Sequence, residues 1–102
     1  MKEKTWFVYI LRCANGKYYT GFTANIARRI SEHETGANPT AYTYSRRPVE
    51  LVWVGKFNAK NEALAFEQQV KGWNRKKKEA LIQNDWNLIH QIVKDERKRR
   101  EN

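Results

Sequence analysis

The feature that most constrains the fold is an apolar, β-forming run from Trp6 to Arg12, followed by Asn15-Gly16 and a second β-forming run from Lys17 to Phe22. Asn-Gly is a turn signal, so the two runs form a β-hairpin. Strand side chains alternate between faces, and the loop length therefore decides which residues of the two strands meet. A two-residue loop, Asn15-Gly16, would pair Ala14 with Lys17 and Arg12 with Tyr19, leaving Tyr9 and Tyr19 on opposite faces. A three-residue loop, Ala14-Asn15-Gly16, with Gly16 at positive φ in a bulge, would pair Leu11 with Tyr19 and Tyr9 with Gly21. Both phenols would then share a face, and Gly21 would leave room above the sheet for the Tyr9 hydroxyl or a phosphate.

Beyond the hairpin, Thr23-Ala24-Asn25 offers cap residues, Ile26 and Ile30 stand four apart, and Gly36 supplies a stop, which predicts a helix from about Asn25 to Thr35. Gly36 to Pro48 lacks apolar periodicity and reads as a loop with Tyr42, Tyr44, Arg46 and Arg47 exposed. Val49 to Phe57 reads as a third strand, apolar on both faces at Leu51, Val52, Trp53 and Val54, and is expected in a well-covered position. Asn58 is placed to cap a second helix, Ala59 to about Lys71, with a stripe of Ala63, Phe66 and Val70, ended by Gly72. A short helix follows from Arg75 to Gln83. Asp85 is placed to cap a final amphipathic helix through Leu88, Ile89, Ile92 and Val93, whose basic end, Lys94 to Arg100, is expected to fray. The order ββαβααα specifies an α+β fold, a three-stranded, largely antiparallel sheet flanked by helices. Residues 1–85 form this domain, and residues 86–102, the last helix and basic tail, belong to it as well.

The 102 residues carry 20 Lys+Arg against 11 Asp+Glu, a formal charge of +9, so the expected partner is a polyanion, with nucleic acid the first candidate. No apolar run approaches the roughly 20 residues that span a bilayer. Met1-Lys2-Glu3-Lys4 leads into a strand without a signal-peptide core, which predicts a cytoplasmic protein without membrane partners. A single cysteine, Cys13, has no internal disulfide partner and cannot build a thiolate cluster. The candidate nucleic-acid-binding residues are Lys17, Arg46, Arg47, Lys71, Arg75, Lys76, Lys77 and Lys78, with Tyr42, Tyr44 and Trp73 interleaved. A solvated helix face is the plainer reading of the lysine run. The clusters contain no base-reading code, so binding should be sequence-tolerant and strongly salt-dependent.

Arg29 and His33, four apart, project from one side of the first helix beside Ile26 and Ile30. Arginine suits a phosphate oxygen and histidine suits proton transfer near neutral pH. The plainer alternatives are a solvated base beside Arg28 and a helix-end histidine favoured by the dipole. Glu67 borders the buried stripe of the second helix, and on the residues alone it reads best as an ion pair with Lys71.

Phe7-Val8-Tyr9 and Tyr19-Thr20-Gly21 retain both tyrosines and the final glycine of a paired tripeptide motif whose first glycine and isoleucines are replaced here. With Gly21-Phe22-Thr23, Arg29-xxx-His33, Leu51-Val52 and Ala63-xxx-Glu67-xxx-Lys71, the chain resembles the GIY-YIG nuclease superfamily, specifically its small stand-alone bacterial members, over roughly residues 5 to 83. The resemblance implies a metal-dependent endonuclease that hydrolyses DNA phosphodiester bonds, with structured DNA among its candidate substrates, by one-step attack of water. It assigns catalytic roles to Tyr9, Tyr19, Arg29 and His33, and makes Glu67 the single carboxylate ligand of Mg2+ or Mn2+, held weakly without substrate. Asn74 is the nearest match to a late family asparagine, and equally a helix cap. Tyr9 would accept the water proton and Tyr19 orient water or phosphate, with their division of labour open. A phenol of pKa about 10 is a poor base, so Arg29 or Lys17 must lower it or the metal supply hydroxide. Two further readings remain: a non-catalytic DNA- or RNA-binding module, and an interaction protein docking through its last helix.

Overall fold

The computed structural model describes residues 4–84. The expected final helix with its stripe of Leu88, Ile89, Ile92 and Val93 lies outside the described residues. The chain divides into two compact units, residues 1–72 and 73–102. The first holds β1 (Trp6–Arg12), β2 (Tyr18–Thr23), α1 (Ile26–Thr35), β3 (Glu50–Phe57) and α2 (Lys60–Lys71), and the second holds α3 (Arg75–Ile82).

The hairpin adopts the three-residue loop. Gly16 stands at φ 83°, its N–H reaches the Cys13 carbonyl at 2.9 Å, and the Cys13 N–H bonds the Lys17 carbonyl at 2.8 Å. Positive φ is free of steric penalty only without a Cβ, which is why the turn falls on glycine. The resulting antiparallel register pairs Leu11 with Tyr19 and Tyr9 with Gly21. A single loop residue thereby sets the face of both phenols.

β1 lies between its neighbours in a sheet ordered β2-β1-β3, with both pairings antiparallel. Val8, Tyr9, Ile10 and Leu11 are accordingly fully buried, covered on both faces. β3, expected to be the well-covered strand, is instead an edge. Its register slips between Ile10 and Leu11, leaving Val52 unpaired as a bulge, and Leu51 and Val54 are 41% and 44% exposed. Continuous apolarity does not distinguish a central strand from an edge strand, because the order of pairing depends on partners distant in sequence. The Phe66 ring of α2 meets Trp53 and Phe57 of β3 at 5.9 and 5.4 Å.

α1 begins where expected: Asn25 is its N-cap, accepting from the Arg28 N–H at 3.1 Å, and Gly36 ends it at φ 70°. α2 is capped by Ala59 without a side-chain bond, not by Asn58, and Ala63, Glu67 and Val70 form its buried stripe. In the second unit, Asn74 caps α3 by accepting from the Lys77 N–H at 2.9 Å.

Candidate active site

Tyr9 projects over Gly21, close enough that an added Cβ would lie 2.5 Å from its Oη. From α1, His33 meets the same hydroxyl, with Nε2 3.0 Å from Tyr9 Oη, and its Nδ1 lies 2.7 Å from Thr43 Oγ1 in the following loop. The Tyr19 ring centroid is 6.3 Å from that of Tyr9 and 5.2 Å from the imidazole. Arg29 stands one turn before His33, its Nε 3.4 Å from Glu32 Oε1. A cavity of about 250 Å³ opens here, lined by Tyr19, Arg29, Glu32, His33, Thr43 and Tyr44 among others. Tyr9, with no exposed surface, sits behind this wall and reaches the group through His33.

Burial sets the proton equilibria. It pushes the Tyr9 phenol well above its ordinary range, Tyr19 adds to the rise, Arg29 opposes it, and Glu67 adds a smaller upward push. The expected lowering by positive charge therefore loses to desolvation, and Lys17, exposed beside the loop, is not among the groups acting on Tyr9. His33 is held below its ordinary 6.5 by burial and by Arg29, against a weaker upward push from Glu32. Near neutral pH the pair is thus a phenol against a neutral imidazole. One can release a proton and the other can take it.

Glu67 is 3% exposed, an unusual state for a carboxylate, and its Oε1 lies 2.8 Å from Lys71 Nζ. That contact is an ion pair without the angular alignment of a hydrogen bond. The carboxylate is felt at Tyr9 through its charge but does not line the 250 Å³ cavity. Among the described residues no three His, Cys, Asp or Glu side chains cluster as a metal-binding group. The donor set is therefore one hard carboxylate. It fits an ion that keeps most of its waters and completes its shell with substrate oxygens, once the long, exposed Lys71 side chain swings aside.

The basic residues divide. Arg46 lies over the Tyr42 ring at 3.8 Å and donates to the Tyr42 carbonyl, and Arg47 lies over Tyr44 at 4.6 Å and donates to the Tyr44 carbonyl. Tyr42 in turn stacks on Tyr19, 5.9 Å between centroids, so the loop lies against the site. In α3, Arg75 pairs with Glu79 at 3.3 Å and Lys76 is exposed, whereas Lys77 is only 7% exposed. An open phosphate-binding role for Lys77 is corrected by helical periodicity, which groups it with buried Ala80 and Leu81. Sequence reasoning missed Thr43 and the stacking role of Tyr42. Neither carries a spacing signal, because a loop has no period.

Two phenols, an imidazole and a guanidinium thus converge beside one cavity of a small α+β domain. The family model described as the GIY-YIG catalytic domain matches residues 5–80, and the chain belongs to this family of nuclease domains. It is 47% identical over 77 residues to the UPF0213 protein of Desulfotalea psychrophila, covering 76% of this chain and 70% of that protein. To a UPF0213 protein of Natronomonas pharaonis it is 42% identical over 79 residues, covering 78% and 92%. The solution NMR structure of the UPF0213 protein BH0048 from Bacillus halodurans superposes with TM-score 0.52 at 42% identity, over 78% of this chain and 83% of that one. A solution NMR structure of an E. faecalis protein gives TM-score 0.57 at 34% identity, over 81% and 88%. No helix among the described residues is long and apolar enough to cross a membrane.

Proposed function

We propose that this protein is a divalent-metal-dependent endonuclease that hydrolyses DNA phosphodiester bonds. The observation that carries the reading is the convergence of Tyr9, Tyr19, Arg29 and His33 beside one cavity in a chain of net charge +9. Arg29 and Tyr19, on the cavity wall, would hold the scissile phosphate. The guanidinium would bind two of its oxygens and offset the charge that grows during displacement. The attacking water in the cavity would lose its proton to the buried Tyr9 hydroxyl through a bridging neighbour, as the phenolic proton passes to His33 Nε2, so that the phenol carries no full negative charge. Glu67 would hold Mg2+ or Mn2+, which when bound neutralises phosphate charge and lowers the pKa of its waters. Lys17, Arg46, Arg47, Lys71, Arg75, Lys76 and Lys78 would supply sequence-tolerant attraction to the backbone, and the cytoplasm is the proposed location.

The test is a cleavage panel of duplex, flap, junction and single-stranded DNA with Mg2+ and with Mn2+, wild type beside Glu67→Ala. Metal-dependent cleavage lost in the variant is the expected outcome. A non-catalytic nucleic-acid-binding module is the second reading, favoured by the ion-paired state of Glu67. Binding without cleavage of any substrate in the panel would establish it.

A further inference from the structure

We propose that Thr43 is a positioning residue of the active site, holding His33 in the tautomer that carries its proton on Nδ1 and presents a bare Nε2 to the Tyr9 hydroxyl. All three residues are buried: Tyr9 is 0%, Thr43 1% and His33 8% exposed. The ring touches Thr43 Oγ1 at 2.7 Å through Nδ1 and Tyr9 Oη at 3.0 Å through Nε2. A neutral imidazole has one donor and one acceptor, so it donates to one hydroxyl and accepts from the other.

The surroundings choose between the two arrangements. The titratable and charged groups acting here are Tyr9 from β1, Tyr19 from β2, Arg29 and Glu32 from α1, and Glu67 from α2, the last through its charge at Tyr9. With the proton on Nε2, His33 would donate to the Tyr9 oxygen, and the phenolic proton would be left beside Arg29, a donor-only group. With the proton on Nδ1, the phenolic proton goes to Nε2 and the hydrogen left over is that of the Thr43 hydroxyl. A phenol is the stronger donor of the two, and stranding the stronger buried donor is the less favourable outcome. Thr43 Oγ1 therefore accepts from Nδ1–H.

The consequence for catalysis rests on the nuclease reading, whereas the tautomer does not. When Tyr9 takes a proton from water, its own O–H bond breaks as an N–H bond forms at Nε2. The imidazolium so formed has both N–H groups facing oxygens, Thr43 on one side and Tyr9 on the other. This repeats the logic in which a base is oriented by a third group.

Long-range 1H–15N correlation of the 15N-labelled full chain reads the tautomer, with His33 signals assigned against a His33→Gln spectrum. The expected result is Nδ1–H in the wild type, Nε2–H in Thr43→Val, and Nδ1–H again in Thr43→Ser. Wild type protonated on Nε2, or Thr43→Val with the wild-type tautomer, overturns the proposal. Should Thr43→Val not fold, the wild-type and Thr43→Ser spectra still decide, since Nε2–H in either is fatal. In the cleavage assay Thr43→Val should lose about a hundredfold in kcat with unchanged DNA Kd, the lower range of a positioned base, and Thr43→Ser should recover it. Cleavage by Thr43→Val at the wild-type rate overturns the positioning role. An inactive wild type with the expected tautomers sinks the nuclease reading and leaves the Thr43 assignment standing.

Discussion

Replacing Gly21 by alanine would strike the Tyr9 ring and its hydroxyl without removing any chemical group of the site. The new Cβ would stand 2.5 Å from Tyr9 Oη, 2.7 Å from Cζ and 3.1 Å from Cε1. That ring is fully buried and hydrogen-bonded to His33, so it cannot swing into solvent to relieve the contact. Overpacking of this kind costs about 1–3 kcal/mol. The alanine's smaller unfolded-state entropy offsets about 0.4–1 kcal/mol of it. The net loss is about 0.6–2 kcal/mol, and each kcal/mol lowers Tm by roughly 4–8 °C for a domain of this size. Thermal unfolding by circular dichroism and the single-turnover cleavage rate would both fall. Gly16→Ala is the control: at φ 83° with nothing within 4 Å of the added Cβ, it should lose about 1 kcal/mol or more to backbone strain. It leaves the Tyr9–His33 contact alone, so its cleavage rate should match the wild type. Adding Tyr9→Phe to Gly21→Ala removes the nearest atom and should restore part of the lost stability, a coupling readable in a double-mutant cycle. A Gly21→Ala protein that melts and cleaves like the wild type would refute the reasoning.

Tyr9→Phe alone should abolish metal-dependent nicking and leave DNA binding intact. It should lower stability by about 0.5–1.5 kcal/mol because His33 Nε2 loses its partner. Unchanged cleavage would remove Tyr9 from the mechanism. His33, with a folded pKa below its ordinary 6.5, contributes stability that is full above that value and is lost as pH falls through the depressed folded pKa. Urea midpoints measured down through this window should therefore fall less steeply in His33→Gln than in the wild type, and parallel curves would contradict the shift. The cleavage rate should show an acid limb in the same window.

That a hairpin forms was legible because its turn signal is local, whereas the choice between a two- and a three-residue loop was not, and followed only from the demand that both phenols share a face. Asn15-Gly16 places positive φ on a glycine, and the odd loop length then carries Tyr9 and Tyr19 to one face through the period of a strand. The Asn25 cap, the Gly36 stop and the four-residue spacing of Arg29 and His33 were legible for the same reason, each lying within a few residues of its partner. The motif residues and the net positive charge, also present in the linear chain, pointed to a nuclease domain acting on a polyanion.

What required the fold is every property that depends on distant neighbours. β1 rather than β3 became the central strand, because apolarity does not encode pairing order. Tyr9 became a fully buried phenol whose pKa rises, since burial outweighs the Arg29 charge that the spacing promised. Glu67 came out buried and ion-paired with Lys71, its charge felt at Tyr9. Thr43, ten residues beyond His33 in a loop without periodicity, entered the site through one 2.7 Å hydrogen bond. Local spacing sets which face a side chain takes. Desolvation and long-range hydrogen bonds, which exist only once the chain has closed on itself, set what that side chain can do.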